Sequence, residues 1–190
     1  MNYVIDWEEI WKIHAPHYKD GYAKIPLRGN KELILKPGPG FGDLSHPSTN
    51  LMLKMLKPLV KDKVVVDIGC GSGILSIASM LLGAKKVYAF EIEQDAISHA
   101  KENFLLNNVD IEMNKHPDFF DLVCINMISS EQKIAFAQYP FLKNYPHLLL
   151  ASGLLKEEKE RYLREMSSYR FIKEKKDECW MSLCMQYHLD

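Results

Sequence analysis

The sequence predicts an α/β fold: a doubly wound, seven-stranded, mostly parallel sheet with an antiparallel hairpin at its C-terminal end. Three observations carry that expectation. A β-branched run, Lys63 to Ile68, ends in glycines at alternate positions, Gly69, Gly71 and Gly73, which is the pattern of a buried parallel strand entering a tight turn. Ile74 to Leu82 then has the length and apolar spacing of a buried helix with Gly83 placed to stop it, and Val87 to Phe90 forms a second strand that ends on the acid Glu91; strand, turn, helix, strand is one βαβ unit. Strands go on alternating with helices until two strand-like runs, Tyr169–Glu174 and Cys179–Tyr187, close the chain as a hairpin, and that alternation builds a doubly wound sheet.

A chain of 190 residues, 47% hydrophobic and 26% charged, is long enough to bury a sizeable core as one globular unit. Lys+Arg 24 against Asp+Glu 25 leaves a formal net charge of −1, and no basic stripe interleaved with aromatics stands out, so there is no strong nucleic-acid signal. No apolar run reaches membrane-spanning length, and the N-terminus is acidic and Trp-bearing rather than signal-like, which predicts a cytoplasmic protein. Cys70, Cys124, Cys179 and Cys184 sit in or beside apolar strands with no C-x-x-C pair, as expected of buried free thiols in a reducing compartment. The seven histidines are scattered and show no metal-ligand spacing, so no metal is expected.

In chain order, Asp6 is placed to cap a short helix with Trp7, Ile10, Trp11 and His14 on one side, and Pro16 ends it. Leu33 to Leu35 reads as a short strand. Pro37 to Gly42, built of Pro and Gly with Phe41, is a loop stiffened by its prolines. Pro47 to Leu59 is a helix with Met52, Met55, Leu56 and Leu59 on one face. After the βαβ unit, Gln94 to Asn107 is helical, Val109 to Met113 is a third strand, and Asn114 to Asp118 is a polar turn. Phe119 to Ile125 is a central strand closing on Asn126, Glu131 to Leu142 a helix, and Leu148 to Ala151 a fifth strand. Gly153 opens a turn before a helix whose charged run, Lys156 to Arg161, is a solvated face. Residues 1–45 form a linker helix and loop packing on a domain of residues 46–190.

In open α/β sheets ligands sit beyond the carboxyl ends of the strands. That rule collects Asp67 to Gly73, Glu91 and Asn126 in one crevice. Glu91 suits a ribose diol, since a carboxylate accepts from both hydroxyls. The glycine spacing is not the dinucleotide G-x-G-x-x-G, because Ile74 stands where the third glycine belongs. Asp67 repels a phosphate and attracts an ammonium. An adenosine at one end and an amino acid at the other describe S-adenosylmethionine, and Asn126, by its amide oxygen or the following backbone carbonyl, is placed to accept from an incoming amine. Methyl transfer from a sulfonium asks mainly for alignment and exclusion of water. No catalytic base is obligatory; Asp43 and His46 are the candidates.

Across nearly its whole length the chain resembles the bacterial methyltransferases of the eleventh large-subunit ribosomal protein, the PrmA family. The likeness rests on Gly38 to Thr49, Gly69 to Leu75, Leu82 to Ala84, Asn126-Met127-Ile128, Ser152 to Leu155, Cys179-Trp180 and the Asp6-Trp7 to Pro16 stretch. It implies a Rossmann-like class I methyltransferase fold and methyl transfer from S-adenosylmethionine to a protein amino group, a lysine side chain or N-terminal amine, with a ribosomal protein as partner. It also implies contacts to the cofactor or the target amine from Thr49, Gly69, Glu91 and Asn126; with Asp67, Cys70, Gly71, Gly73 and Ile92 these make the expected cofactor site, and Asn126 is the expected catalytic residue. Departures are plain. The family's substrate-recognition domain precedes the linker helix, where this chain begins; Asp43-Leu44 stands for Thr-Gly; Glu91 stands for Asp; and the third strand is abbreviated, so the adenine-edge contact is either missing or borne by Asn114. Two other readings stay open: methylation of a small molecule or an RNA base, and a non-catalytic cofactor-binding module.

Overall fold

The computed structural model describes residues 5–188; residues 1–4 and 189–190, the two ends of the expected segments, lie outside it. Helix α1 (Trp7–His14) starts on Asp6, whose Oδ1 accepts from Glu9 N at 3.0 Å. Strands β1 (Tyr18–Lys19), β2 (Tyr22–Pro26) and β3 (Glu32–Leu35) form a small antiparallel sheet. Of these, only β3 was expected from the sequence. Next come α2 (Pro47–Leu56), β4 (Val64–Ile68), α3 (Ile74–Leu81), β5 (Lys86–Phe90), α4 (Gln94–Leu106), β6 (Glu112–Met113), β7 (Leu122–Asn126), α5 (Ser129–Gln138), β8 (His147–Leu155), α6 (Lys159–Glu165), β9 (Tyr169–Asp177) and β10 (Trp180–Tyr187).

The main sheet has seven strands in the order β6-β5-β4-β7-β8-β10-β9. The first five run parallel, and β10 lies antiparallel between β8 and β9. The strand order reverses between β4 and β7, which sets a crevice beyond the ends of those two strands. All five residues of β4 are buried, as a central parallel strand covered on both faces requires. Its side chains alternate: Val65 joins the core shared with α2, α3 and the small sheet, whereas Val66 and Ile68 join the opposite core with Phe90, Phe120, Val123 and Ile125. Trp11, Ile25, Leu33 and Leu35 belong to the first of these cores, so the N-terminal elements share apolar packing with α2 and α3.

Several expected boundaries move. Helix α2 ends at Leu56, β6 keeps two residues, β7 begins at Leu122, and the expected Glu131–Leu142 helix is α5 followed by a 3-10 turn at Pro140–Lys143. Gly153 does not open a turn. It lies inside β8 with φ +80, where the strand bulges rather than ends. Of the four cysteines, Cys70, Cys124 and Cys184 are buried free thiols, but Cys179 is exposed because it falls in the turn between β9 and β10. No helix among the described residues is long and apolar enough to cross a membrane.

Candidate functional site

The crevice at the strand reversal is a cleft of about 570 Å³ lined by Pro39, Gly40, Phe41, His46, Ser48, Gly69, Gly71, Glu91, Glu93, Asp95, Ala96, Asn126, Met127, Ile128, Glu131, Gly153 and Trp180. A second cleft of about 350 Å³, holding Ile92, Phe90, Ile134, Gln138 and Tyr139, shares Gly69, Glu91, Glu93, Met127 and Glu131 with it. Glu91 therefore stands where the two clefts meet. The main cleft carries the carboxylates of Glu91, Glu93, Asp95 and Glu131 and no lysine or arginine among its described lining residues. Such a wall attracts cations and repels phosphate. Among the described residues no cluster of three His, Cys, Asp or Glu side chains is placed to hold a metal ion.

The turn after β4 is held from two sides. Glu91 Oε2 accepts from Gly71 N at 3.0 Å, and its Oε1 accepts from Ile92 N at 2.8 Å and Glu93 N at 3.2 Å. From the other side the Pro-Gly loop lies directly on the turn: Ser72 N donates to Phe41 O at 2.8 Å, and a Cβ on Gly40 would sit 2.5 Å from the Gly71 carbonyl carbon. Only two backbones without side chains approach so closely. A row of polar side chains on α4 ties that loop down. His99 Nδ1 accepts from Gly40 N at 3.1 Å and Nε2 donates to Lys36 O at 2.7 Å; Asn103 accepts from Lys36 N and donates to Ser72 O, both at 2.9 Å; Asn107 pairs with the backbone of Ile34. Burial holds the His99 pKa below its ordinary value, in keeping with a neutral ring that both donates and accepts.

At the end of β7, Asn126 Nδ2 donates to Thr49 Oγ1 at 3.2 Å, while its Oδ1 is buried without a hydrogen-bond partner among the described residues. An unpaired buried acceptor is costly and rare. The Met127 carbonyl accepts from Gln132 Nε2 at 2.7 Å, whereas the Asn126 side-chain oxygen has no such donor. The rim above is aromatic: the His46 ring lies 4.5 Å from that of Trp180 and 5.7 Å from that of Phe41.

The family model described as ribosomal protein L11 methyltransferase (PrmA) matches residues 18–188. The chain belongs to the PrmA family. The ribosomal protein L11 methyltransferase of Thermoanaerobacter pseudethanolicus is 33% identical over 182 residues, covering 86% of this chain and 59% of that protein. That of Aquifex aeolicus is 35% identical over 176 residues, covering 89% and 70%. The crystal structure of the ribosomal protein L11 methylase from Lactobacillus delbrueckii subsp. bulgaricus superposes with TM-score 0.72 at 28% identity, over 86% of this chain and 90% of that one. A Pyrococcus abyssi tRNA (uracil-54, C5)-methyltransferase shares the fold at TM-score 0.58 and 18% identity, over 89% of this chain and 45% of that one. Against the Thermoanaerobacter and Staphylococcus haemolyticus relatives the chain spans 59–62% of their length.

Within the PrmA frame the expected site residues divide. Gly69, Gly71, Glu91 and Asn126 line the main cleft, and Ile92 the adjoining one. Thr49 is fully buried beneath Asn126, Gly73 caps α3, and the buried Cys70 thiol has its pKa pushed up by desolvation. Asp67 does not face the cleft. The alternation along β4 turns it to the α3 face with Val65, where it is 1% exposed and Oδ2 accepts from Ser76 Oγ at 2.5 Å. Asn114 is exposed and pairs with the Glu91 backbone: its amide accepts from Glu91 N at 3.0 Å and donates to Glu91 O at 2.9 Å. His46 Nδ1 accepts from Ser48 N at 3.2 Å and Asp43 Oδ1 from Ser45 N at 2.9 Å, so both candidate bases hold the loop and the start of α2. The acids Glu93, Asp95 and Glu131 and the row His99, Asn103, Asn107 were not foreseen. For His99, Asn103 and Asn107 the spacing i, i+4, i+8 puts the three on one helix face, but a polar face is ordinarily solvated, so the spacing did not reveal their burial.

Proposed function

We propose that the chain is an S-adenosylmethionine-dependent N-methyltransferase of protein amino groups, acting on ribosomal protein L11 in the cytoplasm as the names of its relatives suggest. Residues 46–190 form the catalytic domain in this reading, and residues 1–45 the linker helix and loop. The observation that carries it is the carboxylate-walled cleft lined by Asn126, whose buried side-chain oxygen has no hydrogen-bond partner among the described residues. S-adenosylmethionine fits those residues: it is cationic at sulfur and at its amino group, and its ribose diol suits Glu91 at the junction of the clefts. When bound, it supplies a methyl group already activated on a sulfonium.

The chain's own residues then hold and align. Gly69 and Gly71 bring bare backbone to the cleft, Glu91 and Ile92 take the nucleoside side, and Asn126 Oδ1 accepts from the substrate amine and orients its lone pair. Positioning of this kind is worth effective molarities of roughly 10⁵ M or more. A lysine amine, with an ordinary pKa of about 10.4, is drawn in as a cation by the acidic wall and must release its proton to solvent before transfer. The same acidic wall argues against an RNA substrate, whose phosphates it repels.

Calorimetric titration tests the reading. S-adenosylhomocysteine should bind at one site and a nicotinamide dinucleotide should not. Glu91→Ala should weaken that binding by about 1–3 kcal/mol through lost charge-assisted hydrogen bonds. No heat with S-adenosylhomocysteine, or binding of the dinucleotide, removes the proposal.

A further inference from the structure

Resting on that reading of the cleft, we propose that Gln132 is a positioning residue: its side-chain amide, steadied by Tyr162, sets where Asn126 presents its oxygen. The β7–β8 ladder ends at the pair Asn126–Ser152. There β7 stops while β8 runs on to Leu155, and a side chain carries the bonding between the two segments further. Met127 N donates to Ser152 O at 3.2 Å, and Gln132 Nε2 donates to both Met127 O at 2.7 Å and Ser152 O at 2.9 Å. The amide therefore stands in for a peptide group. Its own oxygen accepts from Tyr162 Oη at 2.6 Å, so both donors and the acceptor are engaged in a side chain that is fully buried.

The far side is equally tight. Gly153, at φ +80, lies close against the Met127 backbone, since a Cβ there would lie 2.4 Å from Met127 O. Met127 is thus clamped between a strand bulge and an amide, and Asn126 is the residue joined to it. On its other flank Asn126 is held by Thr49 Oγ1. Removing the clamp releases one end of the segment that carries the catalytic oxygen, and methyl transfer depends steeply on alignment.

Gln132→Met keeps the shape and loses both donors; Tyr162→Phe keeps Gln132 and frees its orientation. In Gln132→Met, kcat should fall at least tenfold while the S-adenosylhomocysteine dissociation constant and the KM for the amine move less than threefold. Tyr162→Phe should lower kcat threefold or more, and it carries the comparison if Gln132→Met does not fold. A merely structural role lowers the melting temperature and leaves kcat per folded molecule unchanged, which overturns the proposal. The Asn126 side-chain amide resonances, assigned by their loss in Asn126→Ala, give a readout free of turnover. They should shift or broaden in Gln132→Met or Tyr162→Phe, and unchanged resonances in both folded variants overturn the positioning role. A wild type that binds S-adenosylhomocysteine but methylates no amine would instead defeat the proposed function, and those resonances would still decide the role of Gln132.

Discussion

Asp67 illustrates how one residue's setting departs from its place in a motif. Burial pushes its carboxyl up to about 7, against the hydrogen bond from Ser76, and the neighbouring Glu91 adds to the rise. The folded chain therefore holds a proton that the unfolded chain, titrating at its ordinary 3.8, releases earlier. Between those two values the folded state binds more protons, so this contribution to stability is fully present below the lower value and is lost as pH rises through the upper one. Urea denaturation from pH 4 to 8 should show that fall in wild type. Asp67→Asn, whose amide oxygen still accepts from Ser76, should lack it, and equal slopes for the two proteins would contradict the assignment. The sequence placed Asp67 near the tip of β4 correctly. What it did not convey was direction, because a period of two sends the side chain under α3 and away from the cleft. Glu91 and Asn126 were legible for the opposite reason: each closes an apolar strand at the edge where ligands gather.

Among elements, those with a strong local pattern were plain from the residues. β4, α3 and β5 combine β-branched runs, a compact apolar helix and glycine stops, and they fall within a residue or two of expectation. The small sheet was half seen, since β1 has two residues and β2 alternates lysine and tyrosine with buried Ala23 and Ile25. Gly153 misled because a left-handed glycine inside a strand bulge and one in a turn look alike in sequence. Position alone could not reveal that the Pro-Gly loop is seated on the glycine turn, a contact between segments about thirty residues apart. That contact makes a prediction. Gly40→Ala forces a methyl against the Gly71 backbone at 2.5 Å and should destabilise the fold by about 1–3 kcal/mol, as overpacking does. Chemical denaturation checks it, and a wild-type midpoint would mean the seam is looser than described.

For the whole molecule, a net charge of −1 conceals a sorted distribution. The acids of the β5–α4 connection and of the first turns of α4 and α5 converge on one cleft, while lysines populate the edge strand β9, where Lys173, Lys175 and Lys176 discourage strand-to-strand association. The proposed transfer of a methyl group to an amine rests on that sorting, on the strand order and on membership of the PrmA family. The most direct measurement is methyl transfer from labelled S-adenosylmethionine to purified ribosomal protein L11, read by mass spectrometry at lysine and N-terminal amines. Wild type should add mass in methyl increments at an amino group, and Asn126→Ala should bind the cofactor yet add none. Label that enters RNA or a small molecule instead, or an Asn126→Ala protein as active as wild type, would contradict the account.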